Sequence, residues 1–161
     1  MQTFPMLYYR IDEAGVGYSA EYPSNVVIDM GANPGQGAPS TLAVVWPVDG
    51  ATNVRTKGSP ETPNPIPENN GSPYGNPVSI STHELKSLVV TSFTLEDEFG
   101  STVSTKLIDY ATDDNLRFDN AKHFASLIPR SPLESGKKYV AKFSGKIDGT
   151  PYTKEWSFTT E

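Results

Sequence analysis

The chain has 161 residues, the length of one ordinary domain or of one domain with part of another. Lysine and arginine total 13 against 19 aspartates and glutamates, so the formal net charge is −6. This balance argues against binding to nucleic acid or to an anionic membrane surface, because both need clustered cations. The chain has no cysteine, which excludes disulfides, thiol catalysis and thiolate metal sites.

The first 31 residues contain two stretches with the composition of short strands, 16–22 and 25–30, with a turn at Pro23 and Ser24. Residues 32–40 then hold no apolar side chain larger than alanine or proline. Such a composition is typical of a linker. We therefore predict a domain boundary here, with residues 1–31 belonging to one unit and residues 41–161 to another.

The second unit opens with a predicted strand at 41–46 and a turn at 47–50. Residues 57–77 follow as a long loop rich in proline, glycine and asparagine, in which the six prolines forbid regular helix and interrupt any sheet ladder. Loops of this length are usually functional or mobile. We therefore expect Tyr74, which lies in this loop, to be exposed.

From residue 78 onward the apolar positions alternate with period 2, which indicates strands with one buried face. The alternation predicts strands at 78–82, 89–95, 103–107, 139–143 and 156–158, and residues 124–128 are a further short strand. Asp148 and Gly149 form a hairpin signal, and any helix is limited to a turn or two within 113–122. The predicted fold is all-β: an immunoglobulin-like Greek-key sandwich of about seven strands with a short N-terminal β segment.

Leu133, Gly136 and Tyr139 have the spacing of the tyrosine corner of Greek-key sandwiches. In that corner the tyrosine hydroxyl bonds to backbone a few residues upstream. We predict that Leu133 closes the bottom of the core, that Gly136 permits the bend, and that Tyr139 is buried with its hydroxyl bonded to backbone within 129–136.

Two sets of residues resemble known families. Trp46-Pro47-Val48-Asp49-Gly50, the corner, and the Trp156-Ser-Phe-Thr-Thr ending resemble bacterial immunoglobulin-like domains, which are often appended modules of secreted proteins. Gly15-Val16-Gly17-Tyr18 and Val26-Val27-Ile28-Asp29-Met30-Gly31 resemble the closing strands of a bacterial domain of the CAP superfamily (cysteine-rich secretory, antigen 5 and pathogenesis-related proteins). The pocket residues of that family come from an earlier part of its domain, so none is assigned here.

Residues that could carry chemistry are few. His83 and Glu84 are neighbours and would point apart in a strand, and His123 is isolated. The acidic stretches 96–98 and 113–119 lack the spacing of a calcium loop, and no nucleophile or phosphate-loop motif is present. We predict no catalytic, cofactor-binding or metal-binding residue. Trp46 and Tyr74 are the candidate ligand contacts, whereas Trp156 alternates with core positions and is predicted to be buried.

These observations predict a non-catalytic immunoglobulin-like accessory or spacer module of a secreted bacterial CAP-type protein, located outside the cell or in the cell wall. Its partner would be a neighbouring domain of a longer chain. The alternative is a module that binds carbohydrate or cell wall through Tyr74 and the 57–77 loop. Because two strands alone are marginal in water, we expect residues 1–31 to dock on the sandwich or to pair with a second chain as a homodimer.

Overall fold

The computed structural model of the chain describes residues 13–19, 25–31, 43–58, 64–82, 86–118 and 121–161. Within these residues the structure is almost entirely β, with one short helix, α1 (Asp114–Phe118), and one 3₁₀ turn at Pro67–Asn69. The strands are β1 (Glu13–Ser19), β2 (Asn25–Gly31), β3 (Val44–Trp46), β4 (Ala51–Val54), β5 (Val78–Ser81), β6 (Leu88–Asp97), β7 (Thr105–Asp109), β8 (Phe124–Pro129), β9 (Lys138–Ile147) and β10 (Thr150–Thr160).

Strands β3 to β10 form two four-stranded sheets that pack face to face. One sheet has the order β3-β5-β8-β7 and the other has the order β4-β10-β9-β6. An immunoglobulin sandwich places strands A, B, E and D in one sheet and strands C, F and G in the other. The observed order is the same, with β4 added in parallel beside β10. The prediction of an all-β immunoglobulin-like sandwich is therefore confirmed.

The core lies between the two sheets and follows the predicted alternation. On β9 the side chains of Tyr139, Ala141 and Phe143 are buried, while their neighbours are half-buried or exposed. Trp156 and Phe158 on β10 are almost completely buried, as the alternation of β10 predicts. Pairs of rings fill the centre: Phe93 meets Phe143 edge to face at 5.7 Å between centroids, and Tyr139 stacks on Phe158 at 5.7 Å. Aromatic packing therefore joins β6, β9 and β10.

The predicted hairpin connects β9 to β10. Ile147 pairs with Thr150 across a two-residue turn. Asp148 has φ 49° and Gly149 has φ 80°, and positive values at both central residues define the type I′ turn that asparagine-glycine and aspartate-glycine sequences favour. The Asp148 carboxylate also accepts hydrogen bonds from the Ser87 N–H at 2.9 Å and from Lys86 Nζ at 3.0 Å. These two bonds fasten the hairpin to the start of β6.

The alternation predicted for β6 is wrong in its first half. The sequence pattern places Val89 on the same face as Phe93 and Leu95, but Val89 is 53% exposed and Leu88 is buried instead. The register with β9 shifts between Val90 and Ser92, so one extra residue, a β-bulge, reverses the direction of the side chains before it.

The proline-rich segment packs against the outer face of one sheet and forms a cover over it. The prediction that Tyr74 is exposed is wrong. Tyr74 is only 6% exposed, and it packs with Ile66 and Ile128 in a second small core that also contacts Ile108. Leu127 faces the main core, so its neighbour Ile128 faces the opposite side of the same sheet. The described part of the segment therefore covers the outer face of the sheet that contains β7 and β8.

Backbone contacts hold this cover in place. The Gly75 N–H donates to the Pro129 carbonyl at 2.9 Å, and the Gly58 N–H donates to the Tyr74 carbonyl at 3.0 Å. Asn69 Nδ2 donates to the Arg130 carbonyl at 2.7 Å. A side chain at Gly75 would meet Pro129 Cβ at 2.6 Å, so only glycine permits this close approach. A proline-rich segment can thus be well packed without joining either sheet.

The N-terminal residues described are two antiparallel strands, β1 and β2, paired over seven residues from Glu13–Gly31 to Ser19–Asn25. The predicted turn at Pro23 and Ser24 and the predicted linker at 32–40 lie outside the described residues. Docking or pairing of this segment stays a prediction. Among the described residues, no helix is long and apolar enough to cross a membrane.

Candidate functional site: the corner cleft

The tyrosine corner has the predicted geometry. The Tyr139 hydroxyl accepts a hydrogen bond from the Glu134 N–H at 2.9 Å, and the ring is buried at the start of β9. Leu133 is also buried in the main core, and its N–H donates to the Thr56 carbonyl at 2.8 Å. Gly136 has φ 68°, a left-handed conformation that glycine adopts without steric cost. The corner therefore fixes the path from β8 to β9 at one end of the sandwich.

The end of β10 makes further hydrogen bonds to the same corner. The Thr160 hydroxyl donates to the Glu134 carbonyl at 2.6 Å and accepts from the Lys137 N–H at 2.9 Å. The Gly136 N–H donates to the Glu161 carbonyl at 2.9 Å. Residues 134–137 are therefore held by β10 as well as by the Tyr139 hydroxyl, which makes this end of the sandwich rigid.

A tight turn after β6 lies beside the corner. The Asp97 Oδ1 atom accepts hydrogen bonds from the N–H groups of Phe99 at 2.9 Å and Ser101 at 2.8 Å. The Gly100 N–H donates to the Asp97 carbonyl at 3.0 Å, and Gly100 has φ 82°. This well-bonded turn leaves the Phe99 ring 80% exposed, the most exposed large apolar side chain among the described residues.

Between the turn and the corner is a cleft of about 480 Å³, which we call the corner cleft. It is lined by serine and threonine hydroxyls, three carboxylates, one lysine and a few apolar groups. Its residues are Asp97, Glu98, Phe99, Ser101, Thr102, Val103, Ser104, Ser131, Pro132, Leu133, Glu134, Lys137 and Tyr139.

The electrostatics of the corner cleft are predominantly negative. Lys137 Nζ lies 2.6 Å from Glu98 Oε1 and 5.7 Å from the centre of the Phe99 ring. The hydrogen bond that Lys137 donates to the Glu98 carboxylate raises the pKa of Lys137 above its ordinary value. Burial raises the pKa of the Tyr139 phenol, and the carboxylates of Glu134 and Asp97 add to the rise. Lys137 therefore stays charged at neutral pH and Tyr139 stays protonated.

Trp46 does not belong to this cleft. It ends the edge strand β3, pairs with Ser79 of β5 and is 38% exposed. The bond to Pro47 is cis. Tyr74 is buried in the second core, so Trp46 is the one of these two candidate ligand contacts that is exposed.

The His and acidic residues considered as candidates for chemistry either make hydrogen bonds that stabilise the fold or lie outside the described residues. His83 and Glu84 lie outside it, and the His123 carbonyl accepts a hydrogen bond from the Thr82 N–H at 2.8 Å. Asp113 Oδ1 accepts from the N–H groups of Asn115 and Leu116, so it caps α1. Among the described residues, no group of three or more histidine or acidic side chains is arranged to hold a metal ion.

Phe99 is the residue that the sequence analysis missed. The acidic stretch 96–98 drew attention only as a candidate calcium loop. The missed signal was a single apolar residue followed by glycine, Phe99-Gly100, between two predicted strands. Such a residue at the tip of a turn is not positioned to reach a core between two sheets.

Comparison with known protein families finds no family model that matches the chain. A comparison with curated proteins also finds no match.

We predict that Tyr139→Phe lowers the free energy of unfolding by about 1 kcal/mol, because the Glu134 N–H loses its partner. Denaturant unfolding of the two proteins measures this difference. Tyr152→Phe is the matched control: its ring contacts Phe143 at 6.4 Å, and its hydroxyl makes no hydrogen bond with the described residues. Equal midpoints for wild type and Tyr139→Phe would show that the corner bond does not stabilise the fold.

Proposed function

We propose that residues 41–161 form a non-catalytic immunoglobulin-like accessory or spacer module of a secreted bacterial CAP-type protein, located outside the cell or in the cell wall. Residues 1–31 resemble the end of a CAP domain. The module holds them away from the partner that contacts the opposite end of the sandwich. The observation that carries the proposal is the direction of the first and last strands of the sandwich.

The chain enters the sandwich at one end and reaches the opposite end at its last strand. Val44 of β3 pairs with Ser81, which in turn pairs with Phe124. The adjacent Leu88 N–H donates to the Lys122 carbonyl, and Leu88 pairs with Ile147 at the β9–β10 hairpin. The chain therefore enters beside this hairpin.

The last strand ends at the tyrosine corner. Strand β4 runs parallel to β10, with Val54 beside Thr160. The Glu161 N–H donates to the Val54 carbonyl at 2.9 Å. The chain therefore enters the sandwich beside the β9–β10 hairpin, and β10 ends at the opposite end of the sandwich, which is the geometry that a spacer requires. The buried Tyr74 also removes the principal contact of the carbohydrate-binding alternative.

Distance measurements between spin labels test the spacer geometry. The chain has no cysteine, so Ala43→Cys with Glu161→Cys places labels only at the two ends of the sandwich. Strand β10 runs from the hairpin to the corner, and its eleven residues at about 3.3 Å per residue predict a narrow distribution near 30 Å.

The control pair is Thr52→Cys with Glu161→Cys, which joins neighbouring parts of β4 and β10 and should give a separation below about 15 Å. A broad distribution for the first pair, or a separation similar to that of the control pair, would contradict the spacer role.

A further inference from the structure

We infer that the corner cleft is a docking site for an extended polypeptide segment that carries basic residues beside an apolar one. Phe99 supplies the apolar contact, and the carboxylates of the cleft supply the charge. This inference goes beyond the spacer role and does not depend on it.

Phe99 is exposed and held in a fixed position. Its ring is 80% exposed, so it contributes little to the core, yet its backbone is fixed by hydrogen bonds to Asp97. A contact residue held in place before binding loses little conformational freedom when a partner arrives. Aromatic residues are also enriched where protein partners make contact.

The surface next to the Phe99 ring is concave. The cleft of about 480 Å³ is lined by Phe99 together with Leu133 and Tyr139. Its walls are the turn after β6 and the corner before β9, and both are tied down by hydrogen bonds. The cleft can therefore accept a side chain or a short extended segment without rearrangement of the fold.

The charge of the corner cleft selects the partner. Asp97, Glu98 and Glu134 contribute three carboxylates to the lining, and Lys137 contributes one ammonium. The excess of two negative charges favours a cationic occupant and disfavours an anionic one. A second copy of this chain fits poorly, because it would bring an identical acidic cleft on a protein of net charge −6.

The experiment titrates the full chain, labelled with ¹⁵N, with two blocked pentapeptides of sequence Gly-Lys-Leu-Lys-Gly and Gly-Glu-Leu-Glu-Gly. We expect the basic peptide to shift the amide signals of Phe99, Ser101 and Glu134, and the acidic peptide to leave them unchanged. Raising the salt from about 50 mM to about 500 mM should weaken the basic complex, because both partners are exposed to solvent.

Two variants separate the apolar contribution from the charge. Phe99→Ala should weaken binding of the basic peptide by at least about tenfold, whereas Val89→Ala, an exposed apolar residue at the other end of β6, should leave it within about twofold. Glu98→Gln combined with Glu134→Gln should remove the preference for the basic peptide. All these side chains are exposed, so the fold is retained in each variant.

Four results would overturn the inference. They are the absence of shifts with the basic peptide up to about 5 mM, equal shifts with both peptides, shifts that map away from the corner cleft, and shifts of Phe99 produced instead by a neutral tetrasaccharide of N-acetylglucosamine. Concentration-dependent shifts of Phe99 without any ligand would assign the cleft to a second copy of the chain. The spin-label distances are independent of all these outcomes.

Discussion

Replacing Ile66 by alanine should lower the free energy of unfolding by about 3 kcal/mol, although Ile66 belongs to no strand and lies in a proline-rich segment. Its side chain is completely buried against Tyr74 and Ile128. The truncation removes apolar surface from this small core and leaves a cavity, and both changes destabilise the folded state. Denaturant unfolding of Ile66→Ala beside wild type measures the loss.

The control is Val48→Ala, an apolar residue of similar size that is exposed and also lies outside the strands, and it should change stability by less than about 0.5 kcal/mol. Hydrogen exchange adds a local measurement. The Gly75 amide, which donates to Pro129, should exchange faster in Ile66→Ala by a larger factor than the Phe143 amide in β9. If Ile66→Ala and Val48→Ala show the same small loss of unfolding free energy, the proline-rich segment does not stabilise the sandwich.

The part of the fold that could be predicted from sequence is the part set by period 2 and by short-range turn chemistry. Strand β9 buries every second side chain, and β10 does so from Trp156 to Thr160; such alternation is visible in a single sequence. The Asp148-Gly149 turn and the Leu133–Tyr139 corner are local motifs whose geometry depends on a few neighbouring residues. These features needed no knowledge of distant contacts.

The errors come from contacts between segments distant in sequence. The bulge in β6 depends on its pairing with β9, so nothing in residues 88–97 alone indicates that Leu88 rather than Val89 faces the core. The burial of Tyr74 depends on Ile128, more than fifty residues later in the chain. Proline and glycine content correctly excluded a strand or long helix over the described residues of 57–77, but it carries no information about what such a segment packs against.

The candidate site could not be predicted from the sequence, because it too depends on contacts between distant segments. The corner cleft exists because the turn after β6 and the connection between β8 and β9 meet at one end of the sandwich. The Leu133–Tyr139 motif predicted the Tyr139 side of this cleft. The acidic residues near Asp97 are about forty positions away in the chain, so nothing in the sequence joins them to the corner. Trp46 and Tyr74 were chosen by residue type and, for Tyr74, by its place in a proline-rich loop, and neither property determines exposure.

The second large loss of stability is expected for a substitution at Gly145 of β9, which pairs with β6 beside the bulge. Val90 pairs with Gly145, and the register shifts at the next residue of β6. A Cβ at Gly145 would overlap the Val89 carbonyl oxygen and would lie 2.7 Å from Cζ of Phe143. The first of these atoms is backbone and the second belongs to a ring of the core, so neither can move aside cheaply.

Gly145→Ala should therefore lower the free energy of unfolding by about 2 to 3 kcal/mol, the usual cost of overpacking a well-filled interior. Ser144→Ala, one residue earlier on the same strand and half-buried on the outer face, is the matched control and should stay within about 0.5 kcal/mol of wild type. Both values come from chemical denaturation. A Gly145→Ala protein as stable as Ser144→Ala would mean that β6 can withdraw from β9 at the bulge. In that case the edge of the sheet is deformable where the present contacts predict it to be fixed.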